Sequence, residues 1–224
     1  MGADTVADVG THIVWDWNGT LFHDIDAVVA ASNAAFAEFG LAPLSVERYR
    51  DLYCVPIQDF HRKVMGRHPT EEEWVRLNDA FERAYARERA RCGLAEGVRE
   101  LLSGWRTGGG SQSLLSMYGH AELVPLVTGL GIAAEFARVD GRPEPSTGGS
   151  KTEYLVRHLD ALGVPAGSTV VIGDALDDAV AARAVGARAV LYSGGSHSRA
   201  SLSTLGVPVV DSLSEAVALA RVYA

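Results

Sequence analysis

Short apolar runs alternate with longer segments of helical periodicity along most of the chain. Runs of this kind, bounded by turn-forming or polar residues, are typical of buried strands. Because helical patterns separate them, the strands are expected to run parallel in one sheet that helices cover on both faces. The pattern therefore predicts an α/β fold with a Rossmann-like parallel sheet. The predicted strands span residues 13–15, 114–116, 136–139, 170–172, 187–192 and 207–210.

One group of helical patterns interrupts this alternation. Residues 44–91 contain no strand-like run, and Thr70, followed by three glutamates, has the form of a helix start. We predict an inserted all-helical domain over residues 23–93, between core segments 1–22 and 94–224. A stripe of apolar residues at helical spacing is interpreted as part of its core: Trp74, Leu77, Phe81 and Tyr85. Further helices are predicted over residues 25–39, 98–105, 122–128, 151–162, 176–185 and 212–222.

Composition and charge narrow the classes of partner. The chain has 224 residues, of which 47% are hydrophobic, and 28 acidic against 20 basic residues give a net charge of −8. An acidic surface repels nucleic acid and anionic lipid at long range, so neither partner is expected. The sequence has no run of about 18 apolar residues, which predicts no membrane span. A monomer and a homodimer both stay open.

The cysteines and the start of the chain bear on its compartment. The two cysteines, Cys54 and Cys92, lie in no CxxC motif or Cys/His cluster, which favours a reducing, cytoplasmic setting. The initial segment MGADTVADVG contains neither a basic region nor an apolar region. We therefore expect that it is not a signal peptide.

Reactive polar residues stand where several predicted strands end. Asp16 follows the first strand, Ser116 ends the second and Asp174 follows a later one. Lys151 opens a helix behind a loop rich in glycine. Because ligands of open parallel sheets bind at the carboxyl ends of the strands, these side chains are expected to meet. Two carboxylates so close together require a cation, and oxygen ligands favour Mg²⁺.

These residues and their order resemble the motifs of the haloacid dehalogenase superfamily, whose members are mostly phosphatases. The four matching motifs are DWNGTL over 16–21, LLS ending at Ser116, the basic residue Lys151, and VIGDALDD over 171–178. The resemblance extends over nearly the whole chain, and it implies a Mg²⁺-dependent phosphatase that acts on a small phosphorylated metabolite. The helical insertion between the first and second motifs resembles the small cap of the phosphoglycolate phosphatase-like branch.

The resemblance implies a set of catalytic and substrate-binding residues. Asp16 would be the nucleophile that attacks phosphorus and forms an aspartyl-phosphate, which water then hydrolyses. Ser116 and Lys151 would bind the transferring phosphoryl group, and Lys151 would also compensate the charge of Asp16. Thr20, within the first motif, and Met117, directly after the second, are expected among the substrate-binding residues.

The resemblance also implies a Mg²⁺ site. Asp16, Asp174 and the backbone carbonyl of Asn18 would bind the ion, which neutralises charge on the nucleophile and the phosphate. Asp177 and Asp178 are both candidates to orient the lysine or a metal-bound water. The spacing favours Asp178, which we include among the metal-site residues.

Asn18 departs from the family pattern. Phosphatases of this superfamily usually carry a second aspartate at this position, which protonates the leaving oxygen and then activates water. An amide has no titratable proton to give, and general acid–base catalysis contributes about 10²–10⁴-fold. Turnover is therefore expected to be slow, to suit good leaving groups, or to use an acid from elsewhere. The candidates for such an acid are His23, Asp24 and His61.

The basic residue of the third motif has two candidates. Relatives often carry a GKPxP string, whereas this chain reads GRPEP, with Arg142 in the predicted loop 141–150. We favour Lys151 because it opens a helix directed at the active edge, and we keep Arg142 as a candidate phosphate ligand. Only two of the 20 basic residues are lysines, Lys63 and Lys151, and a lysine suits a site that needs a compact charge.

Two other functions stay open from the sequence. Asn18 is compatible with a catalytically impaired domain that binds a phosphorylated ligand or a partner protein, although a pure binder has no need for Asp16. Among the other reactions of the superfamily, an acidic fourth motif built for Mg²⁺ disfavours dehalogenation, and Lys63 in the cap keeps phosphonate cleavage open. Metal dependence and the identity of the released product would separate these functions.

Overall fold

Six parallel strands form the central sheet within residues 10–143 and 149–223, the part of the chain that the computed structural model describes. The strands of that part are β1 (His12–Trp15), β2 (Phe22–His23), β3 (Gly93–Leu94), β4 (Ser111–Gly119), β5 (Val139–Arg142), β6 (Thr169–Gly173), β7 (Arg188–Tyr192) and β8 (Val209–Val210). The sheet has the order β5-β4-β1-β6-β7-β8, and β2 pairs with β3 in a separate antiparallel ribbon. The predicted α/β fold with a parallel sheet is confirmed.

The helices lie on both faces of the sheet and in the insertion. They are α1 (Ile25–Ala37), α2 (Val46–Leu52), α3 (Ile57–Met65), α4 (Glu71–Arg89), α5 (Val98–Thr107), α6 (His120–Gly129), α7 (Lys151–Leu162), α8 (Leu176–Val185), α9 (Arg199–Leu202) and α10 (Leu213–Val222). Among them, none combines the length and the apolar character that a membrane crossing requires.

Alternate residues of β1 enter two different hydrophobic clusters. Ile13 and Trp15 pack in a cluster with residues of α5, α6 and α10, whereas Val14 packs in a cluster with α7 and α8. Because successive side chains of a strand point to opposite faces, a strand covered on both sides needs apolar residues at every position. This explains the continuous apolar run that predicted β1.

Helices α1–α4 form a hydrophobic cluster of their own. Phe36 of α1, Phe60 of α3 and Leu77 of α4 are buried in it. The ribbon of β2 and β3 lies where the chain leaves and re-enters the sheet domain, with Phe22 opposite Leu94. The separate cluster supports the predicted helical domain over 23–93, whose boundaries stay a prediction.

Several short elements differ from the prediction. The strand predicted at 136–139 is placed too early, because β5 begins only at Val139 and ends at Arg142, so the start of the predicted loop 141–150 is strand instead. The strands β2 and β3 and the four-residue helix α9 were not predicted. Elements this short have no periodicity that a sequence pattern could reveal.

A chain of hydrogen bonds crosses one face of the sheet under α7. His158 bonds Asp140 through Nδ1 and Ser113 through Nε2, and His12 bonds Ser113 through Nε2 and Ser111 through Nδ1, each at 2.7 Å. The hydrogen bonds link Ser113 to His158 and His158 to Asp140, as the serine, histidine and aspartate of a hydrolase triad are linked. However, Ser113 and His158 are buried, at 0% and 1% exposure, so no substrate reaches them. The chain satisfies buried polar groups and is structural.

Acid should destabilise the wild type more than a His12→Gln variant. Burial, with a smaller contribution from His158, lowers the pKa of His12 from 6.5 to about 4. Between these values the unfolded chain binds a proton that the folded chain does not, so the free energy of unfolding falls with decreasing pH. The extra loss should reach about 3 kcal/mol. Urea unfolding at neutral pH and near the folded pKa measures it. Because both proteins share every other titratable group, equal pH dependence would contradict this role of His12.

Candidate active site

Four predicted residues meet at the carboxyl end of the central strands. Asp16 directly follows β1, and its backbone N–H donates to the carbonyl of Ile172 on β6 at 2.8 Å. Ser116 lies in β4, next to β1 in the sheet, and Asp174 directly follows β6. Lys151 is the first residue of α7. The topology brings these residues together because β4, β1 and β6 are neighbours.

Lys151 is paired with two buried carboxylates. Its Nζ donates to Oδ1 of Asp16 at 2.8 Å and forms a second ion pair with Asp178. Burial by itself lowers the pKa of Lys151, but the two carboxylates outweigh this and raise it well above its usual value. Burial raises the pKa of Asp16 and Asp178, and Lys151 opposes that rise. A charged lysine is therefore held against Asp16 among buried side chains.

Three carboxylates crowd the same site. Asp16, Asp174 and Asp178 each offer an oxygen within 4.8 Å of the others, and all three are buried. Burial raises the pKa of Asp174 to about 6, and the nearby charge of Asp178 adds to that effect. Lys151 compensates only part of this negative charge. The donor set therefore fits a hard divalent cation such as Mg²⁺.

Asp174 is held from both sides. The hydroxyl of Thr20 donates to its Oδ1 at 3.0 Å, and the backbone N–H of Ser196 donates to its Oδ2 at 2.6 Å. A Cβ added at Gly19 would lie 2.5 Å from Oδ2, and one at Gly195 would lie 2.1 Å from it. Only glycine fits at both places, and the φ of +70° at Gly19 also favours glycine.

The structure gives Thr20 and Arg142 positions that differ from the predicted ones. Thr20 was expected to bind substrate, but it is fully buried and its hydroxyl is engaged by Asp174, so it orients that carboxylate. Arg142 lies on β5 and is not among the described residues that line the two cavities at the site. The basic residue beside Asp16 is Lys151, because the start of α7 and not β5 faces the end of β1.

Asp178 has both carboxylate oxygens engaged within the protein. Oδ1 pairs with Lys151, and Oδ2 accepts the backbone N–H of Ala175 at 3.0 Å. A Cβ at Gly173 would lie 2.1 Å from the same carboxyl group, so that glycine makes room for it. Of the two predicted roles of Asp178, these contacts support the orientation of Lys151.

The amide of Asn18 belongs to a buried hydrogen-bond network. Its Nδ2 donates to Oδ2 of Asp24 at 2.7 Å and to the hydroxyl of Tyr85 at 2.9 Å. The hydroxyl of Tyr85 in turn donates to the same oxygen of Asp24 at 2.6 Å. The other oxygen of Asp24 accepts the backbone N–H of Gly19 at 2.8 Å. Asp24 therefore accepts three hydrogen bonds. One of them comes from the amide of Asn18, which can donate where a carboxylate could not.

The sequence interpretation missed Tyr85 and placed the alternative acids differently. Tyr85 was assigned to the helical core, but its hydroxyl reaches from α4 to Asp24, between β2 and α1, and to Asn18, in the loop after β1. Of the three candidate acids, His23 is exposed, Asp24 contacts Asn18, and His61 lines the cavity beneath the helices. Lys63 is exposed, donates to the carbonyl of Leu52 at 3.1 Å and lines neither cavity.

Two adjoining cavities open at the site. The smaller, of about 240 Å³, is lined by Asp16, Ser116, Lys151 and Asp174. The larger, of about 430 Å³, lies beneath helices α1–α4 and is lined mainly by aromatic and aliphatic side chains. The two cavities adjoin, because they share five lining residues: Asn18, Tyr53, Met117, Tyr118 and Ser196. The predicted residue Met117 therefore lies between the two cavities.

The loop after β7 ties the helices to the site. Arg50 of α2 donates from Nε to the carbonyl of Gly195 at 2.8 Å and from Nη2 to that of Gly194 at 2.7 Å. Next to them, the backbone N–H of Ser196 holds Asp174, and His197 is buried against the ring of Tyr53. Sequence reasoning missed these contacts, because nothing in the loop sequence indicates which backbone groups it presents.

Comparison with known proteins identifies the family. Residues 11–186 match the sequence profile of haloacid dehalogenase-like hydrolases. The chain belongs to this family. A phosphoglycolate phosphatase of Cereibacter sphaeroides is 27% identical over 199 residues, which cover 82% of this chain and 85% of that protein. The chain is grouped with the phosphatases of the family, in the phosphoglycolate phosphatase-like branch.

Solved structures of other bacterial proteins have the same fold. A predicted phosphatase from Clostridium acetobutylicum superposes with a TM-score of 0.79 at 15% identity, covering 93% of this chain and 97% of that one. The Mycobacterium tuberculosis Protein Tyrosine Kinase A superposes with a TM-score of 0.78 at 23% identity, covering 96% and 99%. At these identities the neighbours show the fold and not the reaction.

Proposed function

We propose that this haloacid dehalogenase-like chain is a Mg²⁺-dependent, cytoplasmic phosphatase that hydrolyses a small phosphorylated metabolite through an aspartyl-phosphate on Asp16. The observation that carries the proposal is the pairing of Asp16 with Lys151 at 2.8 Å, at the bottom of a polar cavity. Ser116 and Asp174 line the same cavity. A nucleophile, a cation and a hydroxyl are thereby directed at one small volume.

The chain's own residues account for most of the reaction. A carboxylate oxygen of Asp16 forms a bond to phosphorus while the bond from phosphorus to the leaving oxygen breaks. Lys151 compensates the charge shared by Asp16 and the phosphoryl group, and the hydroxyl of Ser116 donates to a phosphoryl oxygen. Water then attacks phosphorus, which releases phosphate and regenerates the carboxylate. Asn18 holds no proton that it can pass to the leaving oxygen.

Two of the clustered carboxylates would hold the metal. Asp16 and Asp174 would hold Mg²⁺, together with the backbone carbonyl of Asn18, whereas Asp178 would orient Lys151. When bound, the ion would supply positive charge that lets an anionic nucleophile approach an anionic phosphate. The buried and only partly compensated charge of the three carboxylates supports this assignment.

Phosphate release from an aryl phosphate should require Mg²⁺ and stop after chelation. The protein would be stripped with EDTA, and activity would be followed while Mg²⁺ is added back. In parallel, the melting temperature should rise with Mg²⁺, because a ligand that binds only the folded state stabilises it. Activity that is unchanged by chelation would contradict the metal assignment. A rise in melting temperature without any turnover would instead indicate a domain that binds without catalysis.

A further inference from the structure

The larger cavity has the chemistry of a site for an aromatic group. Several rings line it: Tyr53 and Phe81 are partly exposed, whereas Phe36, Tyr49 and Phe60 are almost fully buried in the core of the helices. Its volume of about 430 Å³ lies within the range of roughly 300–1,000 Å³ that is usual for small-molecule sites. Such a cavity is far larger than a two-carbon acid needs, and rings of this kind pack favourably against another ring.

The charge of this cavity disfavours an acidic substrate. Among the described residues that line it there is no lysine or arginine, and Glu82 is the carboxylate. His61 also lines it, and burial lowers the pKa of that imidazole, which keeps it neutral at pH 7. Arg89 and Arg142 act on Glu82 only at a distance and do not line the cavity, so a carboxylate placed there would lose its hydration without a cation in direct contact. The phosphoglycolate named for the relatives would carry such a carboxylate.

Asn18 points to the same class of substrate for an independent reason. Its amide cannot protonate the leaving oxygen, and it lies at the boundary where the two cavities join. An aliphatic alkoxide is a strong base and leaves slowly without a proton. A phenol has a pKa of about 10, so a phenolate leaves far more easily without help.

We infer that the substrate is the phosphate monoester of a small aromatic alcohol, with the phosphate in the polar cavity and the ring in the aromatic one. This inference rests on the proposed phosphatase function. As the bond from phosphorus to Asp16 forms, the bond to the aryl oxygen breaks and its electron pair leaves on the phenolate. The phenolate takes a proton from water, and the resulting hydroxide is consumed when the aspartyl-phosphate is hydrolysed.

The test compares three substrates on the wild-type enzyme with saturating Mg²⁺. Naphthyl phosphate, cyclohexyl phosphate and phosphoglycolate separate the effects of ring shape, leaving group and charge. We expect kcat/KM for naphthyl phosphate to exceed that of each of the others by about 10²-fold. Phosphoglycolate hydrolysed with the higher kcat/KM would overturn this inference and leave the proposed function standing. Hydrolysis of none of the three would overturn both.

A cavity-filling variant tests the location of the ring. Asn78 of α4 lines the aromatic cavity and takes no part in the proposed chemistry, whereas its neighbour Asp79 is exposed and does not line it. Asn78→Trp should raise KM for naphthyl phosphate by about tenfold. Inhibition by inorganic phosphate, which needs only the polar cavity, should be unchanged, and Asp79→Trp should alter neither value. An unchanged KM in Asn78→Trp would overturn the assignment of the ring to this cavity.

A phosphorylated tyrosine side chain is a second source of an aryl phosphate. Free phosphotyrosine and a phosphotyrosyl peptide would therefore be compared as substrates in the same assay. The enclosure beneath α1–α4 favours the small molecule. A higher kcat/KM for the peptide would overturn the assignment to a small molecule, and a higher value for the free amino acid would support it.

Discussion

Replacing Asp16 with asparagine is expected to abolish phosphate release, with a loss in kcat of about 10⁴-fold or more. Asparagine has nearly the same volume, but its amide oxygen is not a nucleophile towards phosphorus. The residue is only 8% exposed and pairs with Lys151, so no other carboxylate can reach the same position without rearrangement. Steady-state turnover of naphthyl phosphate with saturating Mg²⁺ measures the loss.

The control for Asp16→Asn is a second carboxylate in the same cavity. Asp177 lines the polar cavity but is not the partner that holds Lys151, so Asp177→Asn removes the same charge without removing the nucleophile. We expect that variant to keep its activity within about tenfold. Rapid quenching with radiolabelled substrate should trap a phosphoenzyme in the wild type and not in Asp16→Asn. Turnover that survives in Asp16→Asn would rule out the covalent mechanism.

Introducing the missing acid through Asn18→Asp is expected to raise kcat for cyclohexyl phosphate by about 10²-fold. A carboxyl group can protonate the alkoxide that leaves from this substrate, whereas the amide cannot. The gain for naphthyl phosphate should be much smaller, because a phenolate needs little help. The comparison of the two substrates therefore measures leaving-group protonation and not a general change in activity.

The neighbourhood of Asn18 determines how large that gain becomes. Its Nδ2 lies 2.7 Å from Oδ2 of Asp24, so Asn18→Asp places two carboxyl groups against each other. The repulsion should lower the stability of this variant. The double variant Asn18→Asp/Asp24→Asn exchanges acid and amide and restores the complementary pair. We expect it to recover the lost stability and to retain the faster turnover of cyclohexyl phosphate.

The outcome of the exchange separates two reasons for slow turnover. If only the double variant accelerates, Asp24 is the group that excludes an acid from position 18. If neither variant accelerates, protonation of the leaving oxygen does not limit the reaction, and the role given to Asn18 is wrong. Tyr85→Phe is a useful reference, because it removes one donor to Asp24 and one acceptor of the Asn18 amide while Asn18 itself is kept.

The fold could be predicted largely from local patterns. Val14 and Val171 are buried on one face of the sheet and their neighbours on the other, so both strands read as continuous apolar runs. The short strands Phe22–His23 and Gly93–Leu94 could not be predicted, since each forms only because the other lies beside it. The continuation of β5 to Arg142 likewise depends on its pairing with Gly119.

The residues at the polar end of the site could also be predicted from the sequence. Asp16, Ser116 and Asp174 stand at or beside the carboxyl ends of neighbouring strands, and a parallel sheet brings such positions together. The choice between Lys151 and Arg142 was not determined by the sequence. It required the position of α7, whose first residue meets Asp16, whereas Arg142 continues β5.

The sequence by itself therefore determined the parallel sheet, the inserted helices and the acidic site, because each depends on local periodicity or on the common edge of parallel strands. Only the tertiary structure decided that Tyr85 reaches Asp24, that Arg50 holds the loop beside Asp174, and that aromatic rings enclose a second cavity. These contacts join residues far apart in the chain. They depend on the rotation of each helix and on how the helices sit over the sheet, and no local pattern encodes either.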